Sequence, residues 1–294
     1  MPLQWFPGHM TKAVRQIKEN LSKVDIIIEV LDARIPLSSR NPIIANITGK
    51  RPRLVVLNKA DLADPNIMPL WEKYLKGDND KIEVVQVSVK TGKNLTQLIE
   101  KSKYLCRNMN WVGRRAVRAM VLGVPNVGKS AIINYLSGKK SRNVENRPGV
   151  TKDVSMSIKV SSSLKVVDTP GILWHKFEDP EVGEKLAILG SINDEILFRE
   201  DIAVKALDIF VQMYPKKLAE RFSLSSEEIS QIRGFDLLEL IGKKRGCLVA
   251  GGKVDTEKAA RVLLTEIRES RICRFCLEKP TLNAPCEPDS CSAE

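Results

Sequence analysis

Five short motifs in this 294-residue chain carry side chains suited to binding phosphates, a divalent cation and a nucleobase. In chain order they are Asn58-Lys59-Ala60-Asp61, Ser88-Val89-Lys90, Gly123-Val124-Pro125-Asn126-Val127-Gly128-Lys129-Ser130, Thr151 and Asp168-Thr169-Pro170-Gly171. Together they contain the parts of a guanine-nucleotide site, but the motifs that read the base precede those that hold the phosphates. This order is a circular permutation of the usual GTPase chain, and it predicts binding of GTP and GDP with Mg²⁺.

The phosphate-binding motif follows an apolar run and opens a helical pattern. This strand–loop–helix context is typical of a P-loop and argues against an incidental glycine-rich turn. Glycines let backbone N–H groups surround the β-phosphate, Lys129 neutralises the β- and γ-oxygens, and Ser130 supplies a hydroxyl to Mg²⁺. Lys129 is also a predicted catalytic residue. The predicted phosphate contacts are Asn126, Val127, Gly128, Lys129, Ser130 and Ala131.

Two further motifs supply groups that respond to the γ-phosphate. Asp168 follows an apolar run and would hold the Mg²⁺ shell through water, and the Gly171 N–H would reach the γ-phosphate. Thr151 is expected to give Mg²⁺ a second hydroxyl and to serve catalysis in the triphosphate state. The predicted metal ligands are therefore Ser130, Thr151 and Asp168.

Guanine specificity is assigned to the first two motifs. Asp61 can accept hydrogen bonds from guanine N1 and N2, donors that adenine lacks. Asn58 is expected to tie the base edge to neighbouring loops, and the Lys59 stem to cover the ring. Ser88, Val89 and Lys90 would close the other side, with backbone N–H groups facing guanine O6.

The residue that orients water in many GTPases is missing here. They carry a glutamine directly after Asp-x-x-Gly, whereas this chain has Ile172. His9, in the motif Trp5-Phe6-Pro7-Gly8-His9-Met10, and His175 are the two histidines. Either could take that role, and either could be an ordinary packing or surface residue. Asn126 could hold K⁺ beside the phosphates or only stabilise the loop.

The hydrophobic pattern predicts which elements position these motifs. Apolar, β-branched runs at 24–31, 54–57, 82–87, 116–122 and 164–167 read as buried parallel strands, with 154–160 as an edge strand. Helical patterns separate them, which predicts an α/β fold: a circularly permuted P-loop GTPase domain with a mostly parallel sheet and flanking helices, over residues 1–175. Apolar residues then recur at helical spacing, so residues 176–272 should form an all-helical domain. Residues 273–294 are expected to be a loosely ordered, Cys-containing tail.

Charge and composition suggest the partners. The formal net charge is +11, which favours contact with nucleic acid, although cations that only solvate helix faces would give the same balance. No run approaches the roughly 20 apolar residues of a bilayer span, so no membrane partner and a cytoplasmic location are expected. The cations expected to bind RNA in the helical domain are Lys216, Lys217, Arg221, Lys243, Lys244, Arg245, Arg261 and Arg268.

The motifs together resemble those of the circularly permuted GTPases of the ribosome biogenesis GTPase A type. The resemblance covers positions 1 to about 272. It is carried by the N-terminal motif around His9, by Asn58–Asp61, Gly123–Ser130 and Asp168–Ile172, and by the segments Asp32-Ala33-Arg34-Ile35-Pro36, Arg147-Pro148-Gly149-Val150-Thr151, Arg245-Gly246-Cys247-Leu248 and Gly251-Gly252-Lys253-Val254-Asp255.

This resemblance implies a monomeric GTPase for late maturation of the large ribosomal subunit, acting through rRNA, slow alone and stimulated by that subunit. It also implies that His9 replaces the missing glutamine, that the helical domain binds RNA and that Arg34 belongs to a family motif, the alternative for Arg34 being a structural salt bridge. Cys273, Cys276, Cys286 and Cys291 depart from the family pattern and could either ligate Zn²⁺ or remain free thiols.

Two other functions fit parts of the sequence. The chain could be a plain RNA-binding module whose nucleotide site is structural, but Lys129, Ser130, Thr151 and Asp168 favour an enzyme. It could also be a GTPase that acts on another structured RNA, such as tRNA, and the residues do not exclude this.

Overall fold

A computed structural model describes residues 8–138, 157–174, 177–194 and 198–280, with the side chains of residues 8–10 outside this description. The chain divides into two units. Residues 179–277 form the second, and the described residues before them, together with 278–280, form the first.

A six-stranded sheet organises the first unit, in the order β3-β2-β1-β4-β6-β5. Every neighbouring pair is parallel except β5 and β6. This arrangement confirms the α/β fold with a mostly parallel sheet. The strands are β1 (Ile26–Asp32), β2 (Arg53–Asn58), β3 (Ile82–Gln86), β4 (Val117–Leu122), β5 (Ile158–Lys159) and β6 (Leu164–Asp168).

Helices flank this sheet, and the first of them packs on its core. Ala13, Ile17 and Leu21 are buried against a cluster that includes Met120, Leu122 and Ile172. Their spacing of four residues puts these side chains on one face of the helix, which buries it. The helices of this unit are α1 (Gly8–Leu21), α2 (Pro42–Thr48), α3 (Met68–Lys76), α4 (Gln97–Leu105) and α5 (Lys129–Ser137).

The central strands are buried on both faces because helices cover both sides of the sheet. All seven residues of β1 and all six of β2 are buried. Three of these residues are charged, Glu29, Asp32 and Arg53, and two of them compensate each other: Arg53 Nη1 lies 3.2 Å from Glu29 Oε2. The ends of β2, β3, β4 and β6 each lead into a predicted nucleotide motif, so parallel pairing brings those motifs to one edge of the sheet.

The second unit is mainly helical in the part that the structure describes, with one isolated antiparallel bridge between Leu248 and Val254. Its core is apolar and includes Leu186, Leu207, Phe210, Leu238 and Leu263. In neither unit does a described helix combine the length and apolar character that a bilayer span requires. The helices are α6 (Pro180–Ile188), α7 (Arg199–Met213), α8 (Pro215–Phe222), α9 (Ser226–Gln231), α10 (Gly234–Lys244) and α11 (Thr256–Arg268).

The segment after α11 differs from the loose tail expected from residue 273. Phe275 and Cys276 are fully buried, and the Phe275 ring meets the Phe210 ring at a centroid distance of 5.0 Å. The Tyr214 hydroxyl donates to the Cys276 carbonyl and accepts from its N–H, at 2.9 Å each. Burying an aromatic side chain stabilises this unit, so Phe275, Cys276 and Leu277 belong to its core. Residues 281–294 lie outside the described part.

Candidate functional site

The loop between β4 and α5 has a backbone that only glycine allows at two positions. Gly123 and Gly128 have φ of +152° and +98°, which L side chains rarely adopt. A Cβ at Gly123 would lie 2.4 Å from the Val30 carbonyl oxygen, and one at Gly128 would lie 2.2 Å from Asn58 Nδ2. The loop is therefore packed tightly on both sides, and α5 begins directly at Lys129.

Lys129 is the central cation of this loop and is buried in it. Its Nζ donates to the carbonyls of Gly123 and Val124 at 3.0 and 2.8 Å. Burial lowers the pKa of Lys129 to about 8, and the Asp168 carboxylate opposes this shift. An ammonium group held at such a cost of desolvation suits an anionic ligand, since nearby phosphate charges would restore its pKa.

The oxygens predicted to hold Mg²⁺ meet beside Lys129. Ser130 Oγ donates to Asp168 Oδ2 at 3.2 Å, which joins the start of α5 to the end of β6. A hydroxyl beside a carboxylate is a donor set that fits Mg²⁺, a hard cation that binds oxygen ligands. Thr151, the third predicted ligand, lies outside the described residues.

The loop after β6 packs against the phosphate loop. Thr169 Oγ1 donates to the Val121 carbonyl at 2.7 Å, and the Ile172 N–H donates to the Gly123 carbonyl at 3.3 Å. A Cβ at Gly171 would lie 2.7 Å from the Pro125 backbone, so this close approach requires glycine. Ile172 itself is fully buried in the cluster formed with α1, and its carbonyl accepts from Asn41 Nδ2 at 2.7 Å. Its side chain therefore points into the core.

The base-reading motifs connect to the phosphate loop through Asn58. Its Nδ2 donates to the Val127 carbonyl at 2.7 Å, and the Ala60 N–H donates to the Val87 carbonyl at 3.0 Å. Ser88 is buried, and its Oγ accepts from the Thr91 N–H at 3.2 Å. These contacts bring the ends of β2, β3 and β4 into one continuous surface. Of the other predicted base contacts, Asp61 and Val89 are partly exposed and Lys90 is exposed.

Asp32, Arg34 and Lys59 form an ion-pair cluster beside the base-reading motif, and this cluster was not predicted from the sequence. Asp32 is 2% exposed, and both its oxygens accept from Arg34, at 2.9 and 2.8 Å. Lys59 Nζ lies 2.9 Å from Asp32 Oδ2. Burial alone would raise the pKa of Asp32, but the charges of Arg34 and Lys59 outweigh it and hold that pKa well below its usual range. Asp32 thus anchors the lysine expected to cover the guanine ring.

The sequence contains a signal for this cluster, a charged residue at the end of an apolar run, but it does not identify the partner of that residue. Asp32 ends an apolar run, where a charge is expensive to bury without a partner. The salt bridge that the sequence offered as the alternative for Arg34 does exist, and it lies at the end of the central strand β1.

The water-orienting roles considered for His9 and His175 remain predictions. His9 belongs to the first turn of α1, but its side chain is outside the described part of the chain, as is all of His175. The helix that carries His9 is nevertheless held against Ile172, the residue at the glutamine position, through Ala13 and Ile17.

Ion pairs occupy most of the cations expected to bind RNA in the second unit. Lys216 and Lys243 are exposed and have no ion-pair partner among the described residues, whereas the other six are paired within their own unit. The pairs are Lys217–Glu220, Arg221–Glu266, Lys244–Glu228, Arg245–Glu266, Arg261–Glu257 and Arg268–Asp194.

The cysteines give no metal cluster within the described ranges. No group of three or more Cys, His, Asp or Glu side chains in those ranges could hold a metal ion. Cys273 is partly exposed and Cys276 is buried, while Cys286 and Cys291 lie beyond residue 280. Zinc binding by all four therefore stays a prediction.

Comparisons with known proteins agree with this geometry. Residues 118–232 match a family model described as 50S ribosome-binding GTPase. The chain is 45% identical over 290 residues to a Priestia megaterium protein named ribosome biogenesis GTPase A, covering 96% of this chain and 98% of that protein. It is 38% identical to mitochondrial ribosome-associated GTPase 1 of Xenopus tropicalis over 75% of this chain and 74% of that protein.

Solved structures share the whole fold. The GDP-bound structure of TM YlqF is 28% identical in sequence, with a TM-score of 0.65, and the match covers 90% of this chain and 99% of that one. The GNP-bound YlqF structure from T. maritima matches with a TM-score of 0.63 and 27% identity, over 91% of this chain and 98% of that one.

Proposed function

Because the chain belongs to the ribosome biogenesis GTPase A family, we propose that this GTPase is an assembly factor for late maturation of the large ribosomal subunit. Its GTP state would control binding to that subunit and release from it. Support comes from the relatives' names and from a nucleotide site whose motif loops contact one another at one edge of the sheet.

Each part of the site has a role in this proposal. Asp61 accepts from guanine N1 and N2 while Asn58 and Lys59 fix the loop that carries it. Lys129 and the loop N–H groups bind the β- and γ-phosphates, and Ser130, Thr151 and Asp168 would hold Mg²⁺. When bound, Mg²⁺ neutralises charge that develops on the phosphate oxygens.

The packing of α1 on Ile172 is the observation that carries the proposed mechanism. Ile172 is buried and has no polar side-chain atom, so it cannot orient the attacking water. The helix in contact with it begins at Gly8, one residue before His9. We therefore assign His9 the positioning of water, with low activity in the free protein and higher activity when a ribosomal subunit orders this end of the helix.

Coupling to binding follows from the permuted chain order. Along the chain, the seven residues 172–178 separate the γ-phosphate-sensing Gly171 from the start of the second unit. Loss of the γ-phosphate would release the Gly171 contact. The resulting movement of the Asp168–Gly171 loop would be transmitted along this short connection. The second unit would then loosen its hold on rRNA, and the factor would leave the particle.

GTP turnover by the full-length chain, with and without large ribosomal subunits, tests this proposal. We expect slow turnover alone and marked stimulation by the subunit. His9→Ala should lose roughly a hundredfold of the stimulated rate and keep its GTP affinity, since a residue acting in the transition state affects the rate and not ground-state binding. Thr11→Ala, an exposed change on the same helix, is the matched control.

Three results would overturn parts of the proposal. Full stimulation in His9→Ala would move the role to His175 or to the ribosome. Equal co-sedimentation with large subunits in the GTP and GDP states would remove the coupling. Stimulation by tRNA but not by large subunits would support a different RNA target.

Replacing K⁺ by Na⁺ should slow turnover if Asn126 helps to hold a monovalent cation.

A further inference from the structure

A groove lies at the starts of the strands, away from the nucleotide motifs at their ends. It occupies about 460 Å³ between the connection from α4 to β4 and the turn before β6. This strand-start groove is lined by Lys103, Trp111, Arg114, Arg115, Ser162 and Ser163, among others. None of the roles assigned above uses these residues.

The charge of the strand-start groove is positive. Its lining contains three cations and no carboxylate among the described residues. Lys103 and Arg114 are exposed and form no ion pair within the described ranges. Asp25, the carboxylate that contacts Arg115, is partly buried and accepts at 2.7 Å from both terminal nitrogens of that arginine. The groove is therefore suited to an anionic ligand.

One wall of the groove is a preformed stacking surface. The Arg115 guanidinium lies 3.7 Å from the centre of the Trp111 ring. Its two hydrogen bonds to Asp25 fix the plane of the guanidinium. The Arg115 side chain remains 35% exposed. Guanidinium planes and aromatic rings are the surfaces on which proteins stack unpaired bases of RNA.

Basic side chains continue from the groove along the neighbouring strands. Arg118 on β4 is in register with Lys165 on β6, which is in register with Lys159 on β5. Like charges directly opposite each other on a sheet are destabilising, and Arg118 alone of the three has a carboxylate partner in the described ranges, Asp25 at 3.7 Å, so the two lysines account for most of this cost in the free protein. A polyanion that crosses the three strands would remove that cost.

We propose that the strand-start groove binds a single-stranded segment of RNA. Its phosphates would contact Lys103 and Arg114, and a base would stack on the Arg115–Trp111 pair. An acidic peptide could satisfy the cations but has no base for the stacking surface. The groove is not a reactive site, because burial raises the pKa of its Cys106 thiol to about 11. The proposed function enters only as the source of the RNA.

Binding of an oligoadenylate of about ten nucleotides to the full-length chain tests the groove without ribosomes. The double variant Lys103→Ala/Arg114→Ala should weaken binding about tenfold and lower the slope of log affinity against log salt by about 1.4, or 0.7 for each cation. Trp111→Ala should weaken binding about fivefold or more, and Trp111→Phe should retain most of it because stacking is kept. Lys50→Ala/Lys81→Ala removes two exposed cations of the same unit outside the groove lining and is the matched control.

Photocrosslinking with a 4-thiouridine oligonucleotide locates the contact independently of RNA bound elsewhere on the chain. We expect crosslinks in the peptide containing Trp111 and their loss in Lys103→Ala/Arg114→Ala. The proposal is wrong if that variant behaves like the control pair, which would make the groove a solvated surface. It is also wrong if polyglutamate competes fully with the oligonucleotide and Trp111→Ala binds normally, because an acidic protein would then be the better partner.

Discussion

The nucleotide edge of the first unit and the surface of the helical unit use charge in opposite ways. At the nucleotide edge, Asp32, Lys129 and Asp168 are buried. Asp32 forms ion pairs with two cations, Arg34 and Lys59. On the helical unit the cations are exposed or partly exposed, and most pair with a carboxylate near that surface, Glu266 being buried and shared by Arg221 and Arg245. A buried, shared charge has no solvent to replace a lost partner, whereas a surface pair does. Single substitutions should therefore have large effects in the first region and graded effects in the second.

The largest effect is expected at Asp32. Asp32→Asn leaves the buried Arg34 guanidinium without its counterion, so the free energy of unfolding should fall by about 3–5 kcal/mol. Urea denaturation of the nucleotide-free protein measures this. Glu181→Gln breaks the exposed Lys185–Glu181 pair of the helical unit and should cost less than about 1 kcal/mol. Similar losses in the two variants would remove the contrast between buried and exposed charge.

Asp32 should also affect nucleotide binding through Lys59. If Asp32 positions that lysine over the base, Asp32→Asn and Lys59→Ala should each weaken GTP binding, and the double variant should be little worse than Lys59→Ala alone. Additive losses in this double-mutant cycle would make Asp32 a purely structural residue.

Asp61 gives the next largest effect, on specificity and not on stability. Asp61→Asn should shift preference from guanine to xanthine nucleotides, because the xanthine C2 carbonyl can accept from the new amide. Loss of hydrogen bonds to a charged partner predicts roughly tenfold to hundredfold weaker GTP binding. Competition between GTP and XTP measures the shift. An unchanged ratio would show that Asp61, which is partly exposed, does not read the base.

The buried Lys129 predicts a pH dependence that no exposed lysine of the helical unit should share. Its pKa in the free protein is about 8, and bound phosphates should raise it, so binding takes up a proton above that pH. GTP affinity should therefore be flat below about pH 8 and then fall, approaching about tenfold per pH unit.

Calorimetry in two buffers of different ionisation enthalpy, from about pH 7 to about pH 9, would detect the proton directly. Lys129→Met is the control, because it removes the titrating group and with it this proton uptake. Constant GTP affinity across that range in the unmutated protein would contradict the desolvation of Lys129.

Much of the nucleotide region could be predicted from the sequence because its elements are local. A buried parallel strand is a continuous apolar run, and each motif directly follows such a run. The Asp32–Lys59 pair could not be predicted in this way. It depends on the register of β1 and β2, which places Asp32 opposite Asn58 and so beside the next residue. Register between strands is a tertiary property.

The helical unit shows the same division between local and distant contacts. Lys217–Glu220 and Arg261–Glu257 are three or four residues apart, so helical periodicity could have predicted those pairs. Arg221 and Glu266 are 45 residues apart and meet only when α8 packs near α11. The burial of Phe275 was missed because it depends on a space beside Phe210, 65 residues earlier in the chain, which is a tertiary contact.

The smallest effects should come from the exposed cations of the helical unit, and they should depend on pairing. Lys216→Ala/Lys243→Ala removes two cations without ion-pair partners in the described ranges, and Lys217→Ala/Arg261→Ala removes two that are paired at 2.8 and 3.1 Å. A paired cation must leave its carboxylate before it can neutralise a phosphate, and the carboxylate then repels the RNA. The unpaired variant should therefore weaken binding to large subunits severalfold and lower the salt slope by up to about 1.8, with a smaller change for the paired variant.

Sedimentation at several salt concentrations, with GTP affinity as a check on folding, separates the two variants. Equal slopes would mean that RNA displaces these surface pairs freely, and a larger loss in the paired variant would place the RNA over α8 and α11 despite their local neutralisation.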